Sequence, residues 1–150
     1  MSFKLSSRST GRLEGINSDL IDVVNTAITI TKVDFGVTCG MRTVQEQEAL
    51  VAKGASQTMN SKHITGHAVD LVAYVGSDIT WALNMYDDLA DAMAEAARIH
   101  GVDIKWGAAW SVGNISKYKG TMEDAMNEYV DLRRSQDSRP FIDAPHFEMM

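Results

Sequence analysis

Only one cysteine, Cys39, occurs in this 150-residue chain, so no internal disulfide holds any part of the fold together. Proline is nearly as scarce: Pro140 and Pro145 both stand close to the C-terminus, and no proline-rich linker divides the chain. No window reaches the roughly 18 apolar residues that a membrane-spanning helix requires, which argues against membrane insertion. The opening MSFKLSSRSTGRLEG lacks both an apolar core of about seven residues and a small-residue cleavage site. It is not a secretory signal, and folding in the cytoplasm is expected. An excess of positive charge is missing too. Acidic residues outnumber basic ones by 20 to 14, for a net charge of −6, whereas a nucleic-acid binder presents a basic face. Internal repeats and low-complexity stretches are absent. What remains, 45% hydrophobic and 23% charged, is the balance of one globular domain filling residues 1–150.

Periodicity divides the chain into helices and short strands. Leu20, Val24, Ala27 and Ile28 mark a helix over 17–30, capped by Asn17 or Ser18 and with Asp19 and Asp22 at its positive end. The run 33–40 is short, β-branched and closed by Gly40, as a strand is. Residues 43–53 form a helix with Thr43 and Glu46 as a capping box and Gly54 as its stop. A more buried strand follows at 68–75. The longest helix is expected over 79–100, with Trp81, Met85, Leu89, Met93 and Ala96 on one stripe and Gly101 ending it. A strand at 102–107, a helix at 121–134 and a last strand from about His146 complete the pattern, which reads as an α+β sandwich.

Three stretches carry chemistry. In SKHITGHAVDL (61–71), Asp70 sits in an apolar strand, where a carboxylate is costly unless paired or metal-bound. His63 lies seven residues upstream, across a turn that Thr65 and Gly66 permit. Either the imidazole meets the carboxylate, or Asp70 caps a loop and His63 is an exposed turn residue; spacing leaves both open. His63 and His67 are spaced to clamp zinc on a helix, but Gly66 and the strand after it argue against one, so His67 is left out. His100, at a helix end, reads as a dipole partner only. In DAPHFE (143–148), Pro145 stiffens the turn between Asp143 and His146. The alternatives are a surface turn with an edge strand, or a site in which His146 joins His63 and Asp70 as two-histidine, one-carboxylate zinc ligands. In CGMRTVQEQ (39–47), Arg42 is either a surface ion-pair former or a fixed cation facing a site.

Together these stretches resemble the zinc peptidases of the D-alanyl-D-alanine carboxypeptidase (VanY-like) family, and within it the phage endolysins that are L-alanoyl-D-glutamate endopeptidases. The shared pattern is an Arg after the first strand, S-x-H-x-x-G-x-A-x-D, and an acid three residues before a final His. Here these are Arg42, Ser61 to Asp70, and Asp143 with His146. FKLSSRSTGRLEGI and Trp106-Gly107 are also similar, so the likeness runs through nearly the whole chain in order. Two departures stand out. WGAAW has Ala109 where many relatives carry an acid, and the span from Trp110 to Asp143 is long, its helix a candidate wall of the substrate groove.

The resemblance implies a small antiparallel sheet flanked by helices, of the Hedgehog and DD-peptidase type. It implies one zinc ion held by His63, Asp70 and His146, with Asp143 as general base and acid, Arg42 stabilising the carbonyl charge and Ser61 as a polar support near metal or substrate. The expected activity is hydrolysis of the L-alanyl-D-glutamate bond in peptidoglycan stem peptides by a monomer without a separate wall-binding domain. Such an enzyme accumulates in the host cytoplasm until the inner membrane opens, then lyses the cell. The rival readings are a D,D-carboxypeptidase on the same stems and a non-catalytic zinc-stabilised binding domain.

Overall fold

A computed structural model describes residues 3–56 and 58–150; Met1 and Ser2, which open the stretch without the features of a secretory signal, and Gln57 lie outside them. In chain order the elements are α1 (Ser7–Arg12), α2 (Ser18–Ile30), β1 (Asp34–Cys39), α3 (Val44–Ala52), β2 (Ala68–Val75) and β3 (Asp78–Thr80). There follow α4 (Leu83–His100), β4 (Ile104–Trp106), two 3-10 turns (Trp110–Val112 and Ile115–Lys117), α5 (Met122–Ser135) and β5 (His146–Met149). No described helix is long and apolar enough to cross a membrane.

Local signals explain most boundaries. The Asn17 side chain accepts the Asp19 N–H at 2.9 Å and starts α2. Thr43 and Glu46 close the expected capping box on α3, and Thr121 with Asp124 forms a second one on α5. Gly101 ends α4 at φ 67°, a left-handed position that suits glycine. His100 does more than face the helix dipole: its Nε2 lies 2.6 Å from Thr26 Oγ1, tying the end of α4 to α2.

Two elements depart from the sequence pattern. Helix α4 begins at Leu83 rather than near residue 79, because the chain turns at Gly76 and Asp78–Thr80 pairs back on β2. Trp81 therefore leaves the expected core stripe; it is 66% exposed and stacks on Tyr86 at 6.2 Å. Helix α1 has no apolar periodicity to betray it. It is held by the Ser6 cap and lies along β1, where Ser9 Oγ accepts the Val37 N–H at 2.9 Å and Arg12 donates to the Val37 carbonyl at 2.8 Å.

The sheet runs β1-β2-β5-β4, all pairs antiparallel, with β3 added to the far half of β2. Strand β2 sorts its side chains by parity. Val69, Leu71 and Ala73 enter the core with Phe35, Trp106 and Phe147, beneath α4, which also packs on α2. Asp70 faces the other way. That face carries the site.

Candidate active site

Strand register builds the first part of the site. Asp70 stands directly opposite Cys39 on β1 and His146 on β5, so three adjacent strands place these side chains in one row. The alignment with Cys39 depends on an irregularity between Val37 and Cys39, where β1 shifts its pairing by a residue. Without that shift, Thr38 would stand opposite Asp70.

The turn at 62–66 supplies the next group. Gly66 adopts φ 79°, and a Cβ there would meet the Gly15 carbonyl at 2.7 Å, so this turn has no room for a larger residue. Ser61 Oγ accepts the His63 N–H at 3.2 Å, fixing the start of the turn. His63 is 2% exposed, which excludes the exposed-turn alternative. Its Nε2 lies 3.2 Å from Asp70 Oδ1, while its Nδ1 lies 2.9 Å from the Gly40 carbonyl. His67 points elsewhere, with Nδ1 2.8 Å from Thr65 Oγ1.

His146 is arranged in the same way. Its Nδ1 lies 3.2 Å from the same Asp70 oxygen, and its Nε2 2.8 Å from Glu148 Oε1. Each imidazole thus has one nitrogen anchored from outside and the other turned to a shared carboxylate oxygen. That is the usual pattern around a metal, where an outer carbonyl or carboxylate fixes the ring's tautomer and orientation. The two rings sit edge to face with centroids 5.1 Å apart. Among the described residues, two overlapping sets bring three donor atoms within 4.8 Å of one another: Cys39, His63 and Asp70, and Asp70, Asp143 and His146. Asp70 is common to both. Neither set is the trio that the resemblance implies. His63 and His146 meet through the shared Asp70 Oδ1, 3.2 Å from each, and two imidazoles with a carboxylate form a donor set that suits zinc.

Asp143 is delivered by β4. Trp106 Nε1 donates to the Ala144 carbonyl at 2.7 Å, the Gly107 N–H to the His146 carbonyl at 2.8 Å, and the Asp143 N–H to the Gly107 carbonyl at 2.8 Å. A Cβ on Gly107 would collide with the Asp143 carbonyl, so the strand and this loop approach as only glycine permits. The Trp-Gly pair therefore positions the turn from Asp143 to His146. Arg42 is fixed from α3: its Nη1 donates to Gln47 Oε1 at 2.7 Å, and its Nη2 lies 3.8 Å from Asp70 Oδ2. Arg42, Ser61, His63, Asp70, Asp143 and His146 all line one cleft of about 900 Å³.

Charge is unevenly held in this cleft. Burial alone would lower the His63 imidazole, but the hydrogen bond and charge of Asp70 outweigh it and push the pKa up to about 10. His146 is likewise disfavoured by burial yet raised to about 9 by Asp70 and Glu148. Asp70 is drawn well below the usual carboxylate range; burial opposes this, and the two imidazoles overcome it. Asp143 moves the other way, because burial and the neighbouring Asp70 charge disfavour its ionised form. Two carboxylates a short distance apart are thus driven in opposite directions, a common sign of divided acid–base roles.

The phage L-alanyl-D-glutamate peptidase family model matches residues 1–150. The chain belongs to this family. It is 31% identical over 115 residues to the L-alanyl-D-glutamate peptidase of Escherichia phage T5, covering 74% of this chain and 84% of that protein. It is 37% identical over 108 residues to the L-alanyl-D-glutamate peptidase of Listeria phage A118, covering 69% of this chain but 37% of that longer protein. Among solved structures it is similar to the L-Ala D-Glu endopeptidase ChiX of Serratia marcescens, with TM-score 0.71 and 30% identity over 98% of this chain and 90% of that one. The α+β fold with a small antiparallel sheet agrees with that likeness.

Within this L-alanyl-D-glutamate peptidase scaffold, several supporting residues escape sequence reasoning. Glu148 shares the His146 face of β5 two residues on, and Lys62 lies 3.6 Å from its other oxygen. The alternation of His146 and Glu148 was the available signal. Gln47, fully buried on α3, spans from Arg42 to Ser56 Oγ at 2.8 Å and the Thr58 carbonyl, and nothing in the sequence marks it. Trp110, the second tryptophan of WGAAW, lies over His146 at 5.6 Å. Ala109 is fully buried in the core.

Proposed function

We propose that this chain is a phage endolysin that hydrolyses the L-alanyl-D-glutamate bond of peptidoglycan stem peptides, with one zinc ion held by His63, Asp70 and His146. The observation that carries this reading is the gathering of two outward-anchored imidazoles, a shared Asp70 oxygen, Asp143 and Arg42 in one cleft. Residues 1–150 are read as one catalytic domain acting as a monomer. Lysis follows when the enzyme passes from the host cytoplasm to the wall.

An amide resists hydrolysis because water is a weak nucleophile and the amine a poor leaving group. Zinc bound by the trio supplies Lewis acidity, which makes water more acidic and a carbonyl more electrophilic. Asp143 takes a proton from the attacking water and delivers it to the departing nitrogen. Burial and the neighbouring Asp70 charge raise its pKa, so the Asp143 carboxylate is a stronger base than an exposed one and better able to take that proton. Arg42, fixed by Gln47, offers a stationary positive charge to the scissile carbonyl oxygen as it becomes negative. A well-placed donor of this kind is worth about 3–4 kcal/mol. Ser61 acts through His63, whose backbone it holds.

Proton competition sets the pH dependence. With pKa values near 10 and 9, both imidazoles are protonated at pH 7 in the metal-free chain, whereas a metal requires them neutral. Metal uptake at pH 7 is therefore expected to release about two protons, one from each imidazole. Titration calorimetry in buffers of different ionisation heat counts them. Affinity for zinc then rises with pH up to about 9 to 10, and at limiting metal the activity falls progressively on acidification below that range. Uptake with no proton release would contradict this arrangement.

Digesting purified peptidoglycan and identifying the new end groups tests the activity itself. New N-terminal D-glutamate marks the endopeptidase. Free D-alanine would identify a carboxypeptidase, and tight binding without new ends would mark a binding domain.

A further inference from the structure

Helix α5 forms one wall of the cleft through Tyr129, Leu132 and Arg133, whose spacing puts them on a single helical face, with the C-cap residue Gln136 beyond them. Tyr129 also ties the helix to the loop before Asp143, its hydroxyl donating to the Phe141 carbonyl at 3.2 Å and accepting the Phe141 N–H at 3.1 Å. The wall is thus fixed relative to the catalytic groups.

Three Lys or Arg side chains line this cleft: Arg42, Lys62 and Arg133. Arg42 is committed to Gln47 and Asp70, and Lys62 to Glu148 and the Met149 carbonyl. Arg133 differs. Among the described residues its side chain makes no hydrogen bond or ion pair, and its Nε is shut from solvent without an acceptor. A second donor in the cleft is orphaned in the same way: Trp110 Nε1, on the 3-10 turn that packs against α5. Buried donors without acceptors are rare in folded proteins because each forfeits its bond to water. Two of them on one substrate cleft, one carried by a guanidinium, indicate that an anionic acceptor arrives with the ligand.

The substrate's own chemistry names that acceptor. Glutamate has two carboxyl groups; one continues the stem peptide and the other remains as a carboxylate or its amide. We propose that Arg133, assisted by Trp110 Nε1, is the specificity determinant that recognises the free carboxylate of the D-glutamyl residue, on the leaving-amine side of the cleaved bond. The assignment rests on the endopeptidase reading above. Guanidinium pairs with carboxylate through two parallel N–H bonds and has no acceptor to offer an amide's N–H₂, so Arg133 favours stems with the free acid over amidated stems.

The test uses two synthetic stem peptides that differ only in whether this group is the carboxylate or its amide. Wild-type zinc enzyme is expected to favour the acid in kcat/KM by about tenfold or more. Arg133→Gln is expected to lose about 10- to 100-fold on the acid, chiefly through KM, while changing by less than about threefold on the amide. Arg133→Lys recovers part of the loss, since it restores the charge without the fork. Metal content and Tm should match wild type, which separates recognition from a structural role. Equal losses on both peptides, or no loss on either, overturn the assignment while leaving the endopeptidase in place. Cleavage of neither peptide by wild-type enzyme overturns the endopeptidase reading and this assignment with it.

Discussion

Asp143→Ala is expected to cut turnover by about 10²- to 10⁴-fold while retaining the full complement of metal. The reasoning separates the carboxyl from its backbone. The loop is held by main-chain bonds between Gly107 and Asp143, between Gly107 and His146, and between the His146 N–H and the Asp143 carbonyl, none of which involves the side chain. Trp106 adds a fourth bond at Ala144. Removing the carboxylate therefore leaves His146 in place and deletes only the group that moves protons. The same variant decides between two roles. Asp143 lies in one of the two donor sets around Asp70, so if it were a metal ligand the ion would leave with it. Metal analysis beside a peptidoglycan-release assay reads both quantities. Normal turnover with metal bound would show that another group serves as base.

His63→Ala should abolish metal binding and activity together. This imidazole is almost fully buried between the Gly40 carbonyl and Asp70, and the neighbouring His146 is already held by Asp70 and Glu148. Loss of the ring also withdraws one of the two imidazoles that hold the Asp70 carboxylate ionised against burial. A penalty of about 1–3 kcal/mol is expected in the metal-free state from the lost bonds. A ligand that binds only the folded chain stabilises it by mass action, so chelation should lower the Tm of the wild type. It should leave the His63→Ala variant unmoved. Scanning calorimetry with and without chelator makes the comparison, and a variant that still responds to chelation would remove His63 from the ligand set.

Much of the scaffold was legible because its signals are local. Asn17, Thr43 and Gly101 act within one turn of their own position, and the strand 68–75 is bounded as its β-branched run indicates. Asp70 was legible for a different reason: a carboxylate in an apolar strand is a local contradiction that calls for a partner. Its partners were not fixed by spacing. His63 arrives by a turn and His146 by strand pairing 76 residues away, and only the resemblance to a family joined them. What stayed hidden depends on pairing or packing between distant segments. The short strand β3 takes residues from the expected start of α4, since Asp78 to Thr80 gain ladder bonds on β2 that the helical pattern could not foresee. Gln47 reads as an ordinary helix residue until Arg42, Ser56 and Thr58 surround it. Arg133 reads as a dipole partner at the end of α5 until the cleft is seen beside it.

The placement of α1 along β1 bears on the open rim of the sheet. An outermost strand offers unpaired amide and carbonyl groups to any passing extended segment and so serves as a template for intermolecular association. Here the outward amide and carbonyl of Val37 are already taken by Ser9 and Arg12. The short helix α1 thus closes that stretch of the sheet's rim to strand addition.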